Sequence, residues 1–316
     1  MFSSRQWPRF GKRKAPKRRS GKLAPRGPAA QRLSFESLDR RIMLTAGSLD
    51  PTFGSGGIVE ASGLAINAIA VQSDGKVIVA GSASDDGRGD MEFTIGRYNV
   101  DGTVDSSFGN GGLEQIQMEG FGDQDHDSAI NAIAIQPDGK IVVTGSAYNW
   151  DTGTSQFATA RLNTDGSLDT TFGSGGRTEQ SLAEENVLDA EAIQPDGKIL
   201  VGGGSYPTGA VLIRYNADGT PDDSFGNDGT VTLQVSSQSY SDIISSIALQ
   251  SDGKIVVVAR NRSLQSGIEV ARFDADGTLD QTFGNQGTVV ILPGENSYAS
   301  SVAIQSNGDI LVGGEA

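Results

Sequence analysis

The sequence predicts an all-β protein, a β-propeller of about five four-stranded blades of roughly 55 residues with the last blade incomplete. Three observations carry this. One hairpin is written five times: AIAVQSDGKVIVAG (68–81), AIAIQPDGKIVVTG (132–145), EAIQPDGKILVGG (191–203), IALQSDGKIVVVA (247–259) and VAIQSNGDILVGG (302–314). A turn of the type FG-x-GG also recurs five times, with Phe53, Phe108, Phe172, Phe225 and Phe283 spaced 55, 64, 53 and 58 residues apart. A third marker, R-x-N-x-D-G, occurs at 97–102, 161–166, 214–219 and, as RFDADG, at 272–277. Repetition at a period of tens of residues signals stacked supersecondary units that cannot bury their apolar faces singly.

Each element follows from local chemistry. Asp-Gly between two apolar runs is a strong hairpin signal, because glycine accepts the positive φ that the turn needs. Pro137 and Pro195 fit the preceding turn position, where φ near −65° is wanted. The runs IVVTG and ILVGG are short and β-branched, as buried strands are. FTIGRYN (93–99) and FATARLN (157–163) read as a further strand, and GIVEAS (57–62) or TVTLQV (230–235) supplies another. Four strands per period make a twisted sheet, and such sheets repeated about an axis form a propeller. The recurring phenylalanines are expected to plug between sheets. The recurring Arg97, Arg161, Arg214 and Arg272 are expected to bond turn carbonyls or the nearby aspartates. R-x-N-x-D-G occurs only four times and VGGEA stands before the fourth strand of the fifth unit, so either the ring is open, or the leader supplies an atypical strand, or the chain is a segment of a longer array; the last is the expectation, since a truncated array exposes an edge.

These ordered markers resemble the delta-60 repeat, a bacterial propeller-like repeat, over residues 49–316. The resemblance implies propeller architecture in bacterial, often exported, proteins and implies no activity.

Charge divides the chain. Residues 1–45 hold 13 Lys and Arg against 2 Asp and Glu, a net +11, whereas the remainder is at −25. The leader is rich in Pro, Gly and basic residues and has no apolar period, so it reads as disordered. Within it, FESLDRRIMLTA (35–46) resembles the LEPR-XLL motif of large exported bacterial proteins through Leu38, Arg41, Met43 and Leu44, with Asp39 and Arg40 standing where Glu and Pro are usual. The resemblance implies an extracellular or cell-surface location; the alternative is a basic leader with no address. A strongly acidic body excludes nucleic acid as a partner of the propeller. The sequence has no cysteine, which removes disulfides and thiolate chemistry, and no apolar run of about 18 residues that would make a transmembrane helix.

A single site should appear where the repeat symmetry breaks. Glu191 occupies the apolar slot held by Ile69, Ile133, Ile247 and Val302, where a carboxylate is costly unless paired. Arg260 is read as replacing the glycine found at Gly81, Gly145, Gly203 and Gly314. The two lie in successive units and could form an ion pair; strand slippage, with Leu188 or Val187 filling the pocket, is the other reading. The acidic stretch GFGDQDHDS (120–128) offers Asp123, Asp125 and Asp127 as calcium ligands or as a solvated loop. Its His126 is the only histidine, so no multi-histidine zinc site exists. The N-x-D-G-x-x-D turns, as at Asn99, Asp101 and Asp105, lack the closing bidentate glutamate of an EF-hand. Arg88-Gly89-Asp90 spells an adhesion tripeptide at a length where chance suffices. Tyr148 and Trp150 are the candidates for sugar stacking, or else the packed edge of a long hairpin. The expected function is a non-catalytic scaffold that binds a protein or glycan through variable loops near 84–92, 120–128 and 148–155; the alternative is a carbohydrate-active hydrolase with channel carboxylates. No cofactor is expected.

Overall fold

In a computed structural model the described residues are 48–84, 90–118, 126–150, 152–182, 185–233, 242–260, 268–291 and 297–315. The chain divides into Met1–Ser48, of which only Ser48 is described, and Leu49–Ala316. The leader, with its motif-like segment, therefore lies outside the described residues. So do Asp123 and Asp125 and the Arg88-Gly89 pair.

The second unit is all-β. Four successive antiparallel meanders are β1 (Ala65–Val71), β2 (Val77–Ser84), β3 (Met91–Tyr98) and β4 (Leu113–Ile116); β5 (His126–Ile135), β6 (Ile141–Asn149), β7 (Thr154–Leu162) and β8 (Arg177–Gln180); β9 (Glu185–Ile193), β10 (Ile199–Tyr206), β11 (Gly209–Tyr215) and β12 (Thr230–Leu233); and β13 (Ile243–Leu249), β14 (Ile255–Arg260), β15 (Ile268–Phe273) and β16 (Thr288–Ile291). A hairpin, β17 (Tyr298–Ile304) with β18 (Ile310–Glu315), follows. The first two meanders are not separate sheets as the repeat suggests: one parallel bridge, Met91 to Asp127, joins them into an eight-stranded sheet. GIVEAS, expected as a strand, has none of its described residues in one, whereas TVTLQV supplies β12.

The first strands β1, β5, β9, β13 and β17 pack in succession, so the meanders stack through them. Each carries a one-residue irregularity at the same place, opposite the fourth and fifth residues of its hairpin partner. Such bulges sharpen local twist and leave one residue free of the ladder. The repeated hairpin turn is a three-residue loop: Gly139 donates to Gln136 O at 2.9 Å and Gln136 donates to Lys140 O at 2.8 Å, with Gly139 at φ 85°. That is a type I turn closed by a left-handed glycine.

Antiparallel order sorts the connections onto two ends. All recurring turns, between first and second strands and between third and fourth, lie at one end. The connections between second and third strands, and from one meander to the next, lie at the other. The described residues of the variable stretches 84–92, 120–128 and 148–155 belong to this second end, although His126–Ser128 proves to be the start of β5 rather than loop.

Candidate functional site

At the recurring end, the three sequence markers meet in one charged network. Asp105 accepts from Arg97 Nε at 2.7 Å and from Lys76 at 2.8 Å. Asp169 does the same with Arg161 and Lys140, both at 2.7 Å, and Asp222 with Arg214 and Lys198, both at 2.6 Å. Asp280 takes Arg272 at 2.7 Å and Lys254 at 3.2 Å. Each guanidinium also lies over the phenylalanine of its turn, 4.3–4.7 Å from the ring centroid. In the first three units the outer nitrogen crosses to the next unit: Arg97 donates to Thr164 O at 2.5 Å, Arg161 to Ala217 O, and Arg214 to Ala275 O. The aspartates are held well below the usual carboxylate range, by bonds from lysine and from the hydroxyl two residues on, and by the arginine charge. Phe108, Phe172 and Phe225 are fully buried. These recurring charges are thus consumed in holding the stack.

The symmetry-breaking residues lie elsewhere. Strand register confirms the column of Glu191: it faces Val201 as Ile69, Ile133, Ile247 and Val302 face Val79, Val143, Val257 and Val312. No slippage occurs at Leu188 or Val187. Both Glu191 oxygens are buried with no hydrogen bond of ordinary geometry among the described residues, and loss of water pushes the carboxyl up to about 8. The Thr144 hydroxyl acts on it in the opposite, smaller sense. Thr144 on β6 pairs with Thr159 on β7, and both hydroxyls are likewise buried and unbonded. In the other meanders the same pair of positions is Ala80–Ile95, Gly202–Leu212 and Val258–Val270. Glu191 and two threonines therefore break the apolar rule together, and a protonated carboxyl could donate to a hydroxyl where a carboxylate cannot.

The reading of Arg260 needs correction. Ala259, not Arg260, occupies the column of Gly81, Gly145, Gly203 and Gly314; Arg260 aligns with Ser82, Ser146, Gly204 and Glu315. Its partner is not Glu191 but Asp189, at 2.6 Å. Asp189 is the bulge residue of β9, equivalent to Asn67, Asn131, Ser245 and Ser300. The neighbours use this position to donate to the next first strand: Asn67 to Ile130 O at 3.0 Å, Asn131 to Leu188 O at 2.7 Å, Ser245 to Ala299 O at 2.8 Å. A carboxylate cannot donate, so Asp189 breaks this chain of bonds and Arg260, from the next meander, answers its charge. The sequence held this signal as an aspartate in a column of amides and hydroxyls. Arg260→Ala is expected to lower stability by about 1–3 kcal/mol, because Asp189 is left part-buried and unpaired. Asp189→Asn with Arg260→Ser should recover most of that in urea denaturation, since the amide can again donate.

At the variable end, Trp150 is 60% exposed beside Tyr148, ring centroids 4.7 Å apart and nearly perpendicular. Its indole N–H donates to Asp127 Oδ2 at 2.9 Å, and the other carboxylate oxygen of Asp127 accepts from Met91 N–H at 3.1 Å. Asp127 is thus committed to positioning Trp150 and the β3–β5 junction. Among the described residues no group of three or more His, Cys, Asp or Glu side chains is placed to hold a metal ion.

Stacked antiparallel meanders, joined through their first strands and by one recurring charged network, define a β-propeller repeat protein. Residues 72–108, 136–172, 194–225 and 250–283 match the model of a family described as a domain of unknown function (DUF5122) beta-propeller. Each stretch runs from the glutamine before the hairpin turn to the phenylalanine over which the arginine lies, so it spans one Lys–Arg–Asp network. No curated protein matches the chain. Among solved structures, similarity is found to a GH43 endo-arabinanase from Bacillus licheniformis, at 14% identity and TM-score 0.39, covering 81% of this chain and 95% of that one. The PilY1 C-terminal domain of Pseudomonas aeruginosa is similar at 10% identity and TM-score 0.42, covering 78% and 69%. No residue role is drawn from either. Among the described residues no helix is long and apolar enough to cross a membrane.

Proposed function

We propose that the chain is a non-catalytic, exported or cell-surface bacterial scaffold that binds a protein or glycan through the variable end of its stacked meanders. The observation that carries this reading is the Tyr148–Trp150 pair. A large aromatic surface stands in solvent, and the Asp127 bond fixes its orientation in advance of any ligand, which spares the entropy of ordering it. Aromatic faces of this kind stack on the apolar faces of sugar rings and on extended peptides. Calcium is not required by this reading. Along the sequence the repeat is read as five units beginning near 49, 104, 168, 221 and 279, whereas the meanders open with β1, β5, β9 and β13; residues 1–45 are read as a leader whose LEPR-XLL-like segment is an export address.

The hydrolase alternative rests on Glu191, whose raised pKa suits a general acid. Against it, both oxygens are buried where β9 packs on β6, and Asp189 is already paired with Arg260. Titration on a glycan array and on cell-wall extracts tests the scaffold reading: Trp150→Ala should weaken binding at least about tenfold while leaving the melting temperature unchanged. Equal binding by the variant, or turnover of a bound polysaccharide that Glu191→Gln abolishes, would refute it.

A further inference from the structure

We infer that Asn110 is a site of spontaneous covalent modification, at which the Gly111 main-chain nitrogen attacks the Asn110 side-chain amide. The site is independent of the loop-end surface proposed above, because Asn110 lies in the FG-N-GG turn at the recurring end. Only the chain and water take part. The Gly111 nitrogen gives up its proton and bonds to Asn110 Cγ, the Cγ–Nδ2 bond breaks, and the side-chain nitrogen leaves as ammonia. Water then opens the resulting cyclic imide at either carbonyl, which leaves aspartate or isoaspartate at 110. Glycine after asparagine suits the reaction, since it has no side chain to obstruct the approach and its backbone turns freely.

What singles out this pair is the state of its main-chain nitrogen. An N–H already bonded to a carbonyl must break that bond before it can attack. Eleven Asn-Gly or Asp-Gly pairs lie among the described residues. In ten of them the glycine N–H is held: Gly75 donates to Gln72 O at 2.9 Å, Gly102 to Asn99 O at 2.8 Å, Gly229 to Phe225 O at 2.9 Å and Gly308 to Gln305 O at 2.9 Å, and the other six do likewise. The eleventh, Gly111, donates to nothing among the described residues. It stands at the tip of its turn at φ 67°, and nothing lies within 4 Å of where a Cβ would be.

The target side chain differs in the same sense. Asn110 is exposed, and its amide makes no hydrogen bond among the described residues. The other described Asn-Gly pair is Asn307-Gly308, where Asn307 Oδ1 accepts from Asp309 N–H at 3.1 Å and its Nδ2 donates to Asp309 Oδ2 at 2.8 Å. The equivalent turns lack the pair altogether. They carry Ser55 and Ser174 in the place of Asn110, or follow Asn227 and Asn285 with Asp228 and Gln286, which adopt φ 50° and 54° there. Isoaspartate at 110 would put an extra carbon into the main chain inside the bonds that close the turn, Asn110 N to Leu113 O at 2.6 Å and Gly112 N to Phe108 O at 2.7 Å. Gly112 O in turn accepts from Arg97 N at 3.0 Å, so the added length reaches the arginine of the charged network.

The test is to age the full chain at mildly alkaline pH, folded and in urea, and to map both samples by peptide mass spectrometry with an isoaspartate-specific methyltransferase. In the folded chain Asn110 should convert at least about tenfold faster than Asn307, the factor by which one hydrogen bond that must first break slows a step. In urea the two rates should converge. Gly111→Gln, which copies Gln286 at a position that already accepts it, should suppress conversion at 110 in a chain of parental melting temperature. Asn110→Ser, the residue of two sister turns, should remove most of the early ammonia release. Conversion of Asn307 as fast as Asn110 in the folded chain, conversion of Asn110 only in urea, or ammonia release unchanged by Asn110→Ser would each overturn the inference.

Discussion

Asp169→Ala is expected to lower the stability of the chain by about 3 kcal/mol, and Asp50→Ala to leave it within error of the parent. The two aspartates occupy the same place in the FG-x-GG turn, and both cap the hydroxyl two residues on, Thr171 and Thr52 respectively. They differ in what surrounds them. Asp169 is the shared acceptor of Lys140 and Arg161, and its removal leaves the Arg161 guanidinium buried beside Phe172 with no counter-charge. Among the described residues Asp50 bonds only within its own turn. Urea denaturation of the two variants reads the contrast directly, and equal effects would mean that the turn, not the charged network, carries the stability. The network also sets an acid limit. The folded-state pKa values of Asp105, Asp169, Asp222 and Asp280 lie below the unfolded value near 3.8, so their contribution is present above that pH and is lost as pH falls through the folded values.

Glu191 works in the opposite direction and in a different window. Its folded pKa of about 8 lies above the unfolded 4.5, so the folded state holds a proton that the unfolded state has released. Stability from this group is complete below pH 4.5, falls as pH rises, and is gone above about 8; the whole excursion is at most about 5 kcal/mol. Glu269, raised to about 7 by burial and by the charge of Asp242, adds to the same slope. Glu191→Gln should therefore flatten, without abolishing, the decline between pH 5 and 8 in denaturation midpoints. Replacing the cluster by the apolar residues used elsewhere, Glu191→Ile with Thr144→Ala and Thr159→Ile, should raise stability at pH 8 by about 1–4 kcal/mol. An unchanged pH profile in Glu191→Gln would show that the carboxyl is ionised in the fold.

Much of this molecule was legible in one dimension. The hairpins and the glycines at positive φ follow from chemistry within a few residues, and fivefold repetition turns a weak local signal into a strong one, whereas the sheet to which a strand such as β12 belongs does not follow from it. The apolar column occupied by Glu191 could be counted from its own hairpin, so it was readable. The column of Arg260 was not read correctly, although six residues on from the turn glycine lead from Gly253 to Ala259 as they lead from Gly75 to Gly81, and the pairing of Ile243 with Arg260 agrees. The partners of these residues were beyond reach for a different reason. Asp189 and Arg260 are 71 residues apart, Thr144 and Glu191 are 47 apart, and each pair meets only because successive meanders stack through their first strands. The sequence by itself determined the unit and its turns, since those depend on φ preferences and alternation within one hairpin. The tertiary structure alone decided which charges meet and which carboxyl loses its water, since these depend on the distance between chain segments that no local preference encodes.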